Sequence, residues 1–354
     1  MAIQEIKKIR MELLRWYDKN RRAMPWRALP GHTSNPYHVW LSEIMAQQTT
    51  IAAVIPYFKK FIKKWPDVHA LSIAQSDEIM RAWAGLGYYA RARNLHACAK
   101  IISSKYDGIF PNDLENLRAL PGIGEYTAAA ISAIAFNKPA NVVDGNVERI
   151  IARLYAIQTP LPAAKAEIKK RSAAIYEGFK SRPGDLAQAF MDLGAGVCIP
   201  AAPRCGVCPV ASMCMGYKKG IAANLPVKKT KVRPVKHGFV YWITDGRGMV
   251  AIECRPPKGL LGGMAGFPTS TWEIDPDLIK PPDGFQTLKF KLLREIEVRH
   301  VFTHFELRLR WMACKVSKFS MPADYFWVNS VELTDIGMPT LFIKALNLLD
   351  KGGV

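Results

Sequence analysis

At 354 residues, 49% of them hydrophobic, the chain is long enough for two or three cores and too apolar to be disordered throughout. Forty-nine Lys and Arg against 30 Asp and Glu leave a formal net charge of +19, which predicts a polyanionic partner and places that charge on folded surfaces rather than in a tail. No apolar run is long enough for a transmembrane helix. Glu5, Glu12 and Asp18 set the amphipathic N-terminal stretch apart from a mitochondrial presequence, so the chain reads as intracellular, with no targeting signal and no membrane partner.

From residue 1 to about 217 the periodicity is helical, with helices expected at 3–20, 37–48, 51–64, 75–84, 88–104, 112–119, 125–136, 145–157, 163–178 and 184–197. Pro25-Trp26-Arg27 precedes the second of these, on which Glu43 shares a face with Trp40 and Gln47. Glu43 reads either as a solvated helix residue or, among Leu41, Ile44 and Met45, as a partly buried carboxyl with a raised pKa, able to act as a general acid. Gln47-Gln48-Thr49 closes the helix with two amides, groups that can replace the hydrogen bonds of an evicted base. Gly85-Leu86-Gly87-Tyr88-Tyr89, followed by Arg91 and Arg93, suits a minor-groove wedge with Tyr88 at its tip, while Tyr89 reads as a core aromatic.

Residues 112–136 spell a helix-hairpin-helix around Leu120-Pro121-Gly122-Ile123-Gly124. Gly122 and Gly124 let the chain turn tightly, and the free amides that follow suit a DNA phosphate. Asp144 and Asn146 both read as N-cap residues before Val147, Ile150, Ile151 and Leu154. The same position suits a carboxylate facing a cationic transition state, and the two readings coexist.

Cys198, Cys205, Cys208 and Cys214 form a C-x6-C-x2-C-x5-C cluster over 198–214. In a basic chain without a secretion signal this reads as a metal site rather than a disulfide framework, and the long outer loops fit a [4Fe–4S] cluster better than zinc. Cys98, Cys254 and Cys314 read as small buried hydrophobes. A basic, Pro-bounded tract at 218–235 reads as a linker. Beyond it, 236–354 has the texture of a small α+β domain: a strand pair at 237–244 and 249–254, strands at 297–302, 305–316 and 325–329, and a closing helix near 341–349.

Taken together, the cysteine spacing, the L-P-G-I-G hairpin, the placement of Asp144 and the G-L-G-Y-Y loop resemble the helix-hairpin-helix base-excision DNA glycosylases. Ser42-Glu43-Ile44-Met45-Ala46-Gln47-Gln48-Thr49 and Tyr126 resemble the adenine DNA glycosylase (MutY) family, over essentially the whole chain. The resemblance implies a mainly α glycosylase domain carrying a structural, DNA-positioning [4Fe–4S] loop, and a Nudix-like C-terminal domain. It implies a monofunctional hydrolase acting as a monomer in the bacterial cytoplasm, at the nucleoid, on duplex DNA with A:8-oxoguanine or A:G mispairs. In the related endonuclease III-type enzymes a lysine stands where Tyr126 does, and a phenol cannot form that lysine's Schiff base.

By resemblance, Glu43 protonates N7 of the flipped adenine and Asp144 stabilises the oxocarbenium ion. Tyr126 and Asn146 orient them, Trp26 and Arg27 line the pocket, Gln48 fills the vacated stack and Tyr88 wedges beside the lesion. Phe302-Thr303-His304 resembles the family's 8-oxoguanine recognition loop. Gly259–Pro268 resembles its Gly-rich turn but departs from it at Leu261 and Met264-Ala265. With no G-x5-E-x7-R-E-x2-E-E pattern following, the second domain is expected to bind rather than hydrolyse. A pyrimidine-directed or thymine–guanine glycosylase, or a non-catalytic iron–sulfur DNA-binding protein, are the competing readings.

Overall fold

The computed structural model describes residues 3–229, 233–256, 259–317 and 321–350. It divides into two compact units, one of Met1–Leu86 with Arg91–Thr230, the other of Lys231–Val354 with Gly87–Ala90. The first is helical and the second mixed.

In chain order the helices of the first part are α1 (Ile3–Asn20), α2 (Pro36–Ala46), α3 (Ile51–Lys64), α4 (Val68–Ser72), α5 (Ser76–Trp83), α6 (Ala90–Lys105), α7 (Leu114–Arg118), α8 (Glu125–Phe136), α9 (Gly145–Leu154), α10 (Lys165–Tyr176), α11 (Pro183–Gly196) and α12 (Met215–Lys218). The short α4 and α12 carry too few turns to print a hydrophobic stripe, and periodicity missed both.

α2 starts on Asn35, whose side chain accepts from the Tyr37 amide at 2.8 Å, with Pro36 at the first turn. It is apolar nearly all round, burying Tyr37, Val39, Trp40, Leu41, Ile44 and Met45, and packs on α3 and α8. α8 is built of small residues, and α11 crosses it so closely that a Cβ at Gly184 would lie 2.5 Å from the Ala133 carbonyl oxygen. α11 also packs on α1 and α9, which makes it the spine against which the site is assembled.

The tract expected to be a linker is only partly one. Leu225 is buried, the Leu161 amide donates to the Val227 carbonyl at 2.8 Å, and Leu161 bridges Lys228, so the chain stays on the helical unit to that point. Residues 230–232 lie outside the described ones.

The second unit is a sheet of β1 (Val235–Thr244), β2 (Met249–Cys254), β3 (Ala265–Gly266), β4 (Lys291–Val301), β5 (Glu306–Lys315) and β6 (Tyr325–Asn329), with α13 (Thr340–Asp350). The order is β3-β2-β1-β5-β4, with β6 on β2. β1 and β2, expected as a strand pair, do pair antiparallel, at Thr244 opposite Val250. That contact is short, and along its length β1 runs parallel to β5, Val235 opposite Glu306 through Thr244 opposite Lys315. Alternation fixes which face a residue takes but not which strand it pairs with. Val240, Ile252, Phe267, Leu307, Leu309 and Trp311 form one core with Leu341, Phe342, Ala345 and Leu349 of α13. Tyr241, Ile243, Ala251, Phe285 and Val316 form the other.

The cysteine loop is where the structure corrects the sequence reading. Among the described residues, no group of three or more His, Cys, Asp or Glu is placed to hold a metal ion, which overturns the expected [4Fe–4S] cofactor at Cys198, Cys205, Cys208 and Cys214. The four do line one gap, whose other walls include Ile150, Arg153 and Leu193. Burial raises the thiols of Cys205, Cys208 and Cys214, that of Cys208 to about 12. The loop is held instead by buried Arg153, which donates to the Ile199 and Pro200 carbonyls at 2.7 Å and to Leu225 at 3.0 Å, while the Cys214 thiol donates to the Arg153 carbonyl at 3.3 Å. Of the single cysteines, Cys98 is buried as expected and Cys254 is exposed.

Candidate active site

Four elements of the helical unit meet at a cavity of about 520 Å³, within the range of roughly 300–1,000 Å³ typical of small-molecule sites. α2 contributes Glu43, α8 Tyr126, the head of α9 Asp144 and Asn146, and α11 Gln188 and Met191. Trp26 and Arg27 form a further wall, and Gln47, Gln48 and Thr49 line the cavity just beyond α2. Residues as far apart in the chain as Arg22 and Ala195 are thus brought together.

Glu43 opens onto the cavity but lies deep within the unit. Burial pushes its carboxyl from the ordinary value of 4.5 up to about 7; a hydrogen bond from the Tyr126 hydroxyl and the charge of Arg27 pull the other way, and the charge of Asp144 adds to the rise. The solvated-residue alternative is thereby set aside. Tyr126 itself is raised well above a free phenol, by burial first and then by Glu43 and Asp144, so it remains a neutral donor.

Asp144 is the helix cap the sequence allowed, and it also lines the cavity. Its side chain caps α9, accepting from the Val147 amide at 2.7 Å, and its other oxygen accepts from the Asn146 side-chain amide at 2.9 Å. Both carboxyl oxygens of Asp144 thus accept from an N–H donor. Asn146 is held in turn by Arg149, which donates to its side-chain oxygen at 2.9 Å and to the Gly194 carbonyl at 2.8 Å. Gly194 is required there, because a Cβ would lie 2.6 Å from that of Asn146.

Arg27 is fixed by a fork to Asp192, at 2.7 and 3.0 Å. Gln188, which sequence reading passed over, lines the cavity with its side-chain oxygen buried and unpaired. Nothing in the sequence marks a glutamine on an apolar helix as exceptional, and only the convergence of helices reveals it.

At the cavity edge Gln47 donates weakly to Thr127 at 3.4 Å, and Thr49 bonds back to the Gln47 carbonyl at 3.3 Å. Gln48 is exposed at φ 55°, a left-handed conformation that glutamine adopts only under constraint. Tyr88 shows the same pairing of exposure (58%) and positive φ, 49°. Arg91 does not flank that loop as a DNA-facing cation. It is buried, donating to the Ile44 and Met45 carbonyls at the end of α2, to Leu86 and to Thr49. In the hairpin, Gly122 at φ 76° sits against Asn94, and exposed Gly124 is the N-cap of α8.

In the second unit Phe302–Phe305 is a turn between β4 and β5, closed by the Phe302 amide donating to the Phe305 carbonyl at 2.9 Å. Phe302 stacks on Trp272, at 5.9 Å between ring centroids, and lies tilted against Phe305 at 4.9 Å, while Thr303 and His304 are exposed at the tip.

Two family models match the chain: the HhH-GPD superfamily base excision DNA repair proteins over residues 41–176, and the NUDIX domain over 239–348. An adenine DNA glycosylase of Buchnera aphidicola is 33% identical over 344 residues, covering 96% of this chain and 96% of its own. One of Mus musculus is 40% identical, covering 98% of this chain and 79% of its own. Among solved structures, a thermostable thymine-DNA glycosylase aligns with a TM-score of 0.54 at 28% identity, over 61% of this chain and 98% of its own.

Proposed function

Because the chain belongs to the adenine DNA glycosylase family, we propose that it hydrolyses the N-glycosidic bond of adenine mispaired with 8-oxoguanine or guanine in duplex DNA. The observation that carries this reading is the pairing, across one nucleoside-sized cavity, of a carboxyl raised to about 7 with a second carboxyl held by N–H donors. Adenine stacked in a duplex cannot enter such a cavity, so the nucleotide must rotate out, at a cost of a few kcal/mol. Gln48 suits the vacated stack and Tyr88 a wedge, both being exposed and set in left-handed backbone. The amides of the Gly122–Gly124 turn suit a phosphate.

In the cavity, Glu43 gives its proton to N7 of the base. The bond between N9 and C1′ then breaks with its electrons passing to a neutral leaving group, and the sugar becomes an oxocarbenium ion. Asp144 faces that cation. Water adds to C1′, and Glu43, now a carboxylate, takes its proton. Tyr126 holds Glu43, Asn146 holds Asp144, and the unpaired oxygen of Gln188 suits the exocyclic amine that adenine carries and thymine lacks. Trp26 and Arg27 wall the pocket.

Single-turnover base release from a panel of A:8-oxoguanine, A:G, A:C and T:G duplexes tests the proposal. Release of free adenine, fastest opposite 8-oxoguanine, supports it. Release of thymine from T:G with adenine left in place overturns it in favour of the chemistry in the thymine-DNA glycosylase's name.

The turn at the end of β4 supports a lesion-reading role. Oxidation at C8 puts a hydrogen on N7 of guanine, which the Thr303 hydroxyl suits as an acceptor, with His304 beside it. Replacing both by alanine is expected to narrow the preference for A:8-oxoguanine over A:G by about thirtyfold, at roughly 1 kcal/mol for each of two hydrogen bonds lost. Equal discrimination in native and variant protein would remove this turn from the readout.

A further inference from the structure

We propose that Asp192 is a positioning residue of this site: by gathering Arg27 and Arg22 into one buried ion pair, it holds Arg27 on the pocket wall and keeps that cation from pairing with Glu43. This rests on the reading of Glu43 as the proton donor.

The geometry is that of a saturated carboxylate. Asp192 accepts from Arg27 at 2.7 and 3.0 Å, from the Arg22 side chain at 2.7 Å and from the Arg22 amide at 3.0 Å. Its side chain is 1% exposed and that of Arg27 5%. Arg22, Arg27 and Glu43 line the same cavity. Arg27 therefore acts on the one carboxyl that the chemistry needs protonated, and Asp192, braced by Arg22, directs it away. A buried guanidinium released from its partner would seek another carboxylate, and the cavity offers Glu43 and Asp144.

Other groups reach Glu43 as well. Tyr126 of α8 donates to it and the charge of Asp144, at the head of α9, favours its protonated form. α11 presents the neutral amide of Gln188 and α3 presents Ile51. Arg91, from α6, is committed to the carbonyls that end α2. Arg27 is thus the cation whose charge acts on Glu43, and Asp192 is what restrains it.

The experiment is single-turnover adenine release from an A:8-oxoguanine duplex between pH 5 and 9, with a ¹³C NMR titration of the Glu43 carboxyl in the full chain. In Asp192→Asn the alkaline limb of the rate is expected to move down by about one pH unit or more. At pH 7.5 the rate falls about tenfold, and at pH 5.5 by less than about threefold, as one unit of pKa dictates. The double variant Asp192→Asn with Arg27→Gln is expected to return the limb close to the native position, though with a lower plateau because a pocket wall is lost. Should Asp192→Asn fail to fold, Arg27→Gln alone is expected to move the limb upward. A loss by one common factor at every pH, or a limb that ignores Arg27, overturns the proposal. A shifted Glu43 titration without any shift in rate leaves the positioning intact and instead overturns Glu43 as donor.

Discussion

Glu43→Gln is expected to abolish adenine release, lowering the single-turnover rate about 10³–10⁴-fold, the upper range for a positioned general acid, while the duplex still binds. The amide fits the same space but has no proton to give. The substitution is also expected to stabilise the protein. The folded-state pKa of about 7 lies above the ordinary 4.5, so between those values the native state holds a proton that the unfolded chain has released. The stability associated with that proton is fully present below about pH 4.5 and declines as pH rises through about 7. Above that it is lost, at a cost of at most about 3 kcal/mol. Glutamine avoids this cost, so thermal unfolding at pH 8 is expected at a higher temperature in Glu43→Gln than in the native protein. Undiminished turnover removes Glu43 from the chemistry. A lowered unfolding temperature contradicts its strained burial.

Asp144→Asn is expected to lower the rate about 10²–10³-fold or more, on the scale of losing a preorganised electrostatic contact at the reacting centre. The choice of asparagine separates the two roles of this residue. Asparagine caps a helix about as well as aspartate, so the Val147 amide keeps its acceptor and stability is expected to change by less than about 1 kcal/mol. What is removed is the charge that the proposed mechanism sets against the sugar. A variant that unfolds several degrees earlier yet turns over at the native rate per folded molecule would reduce Asp144 to a cap.

Much of this site was legible because its residues sit where local rules concentrate them. Asp144 stands before a periodic run and caps α9, and the glycines of 120–124 announce a turn and make one. Glu43 stood out as the one carboxyl in an apolar helix. The parts that escaped depend on partners distant in the chain. Arg91 carries the same charge whether it faces DNA or caps α2, and only Ile44, Met45 and Leu86 decide which. Gln188 and Asp192 owe their places to the packing of α11 against α8 and α9. In the second unit, alternation located β1 and β5 but could not say that they run side by side. The cysteine spacing suggested a cluster, but spacing says nothing of how the folded loop sets the four side chains, and among the described residues no group is placed to hold a metal ion.

The most direct test is the pH dependence of free-adenine release from A:8-oxoguanine duplex under single-turnover conditions, followed beside Glu43→Gln. A rate that is level on the acid side, breaks near pH 7 and falls tenfold per unit beyond it, with the break absent in the variant's residual activity, is the expected result. A native profile flat from pH 6 to 9 would contradict a neutral Glu43 as the source of the proton.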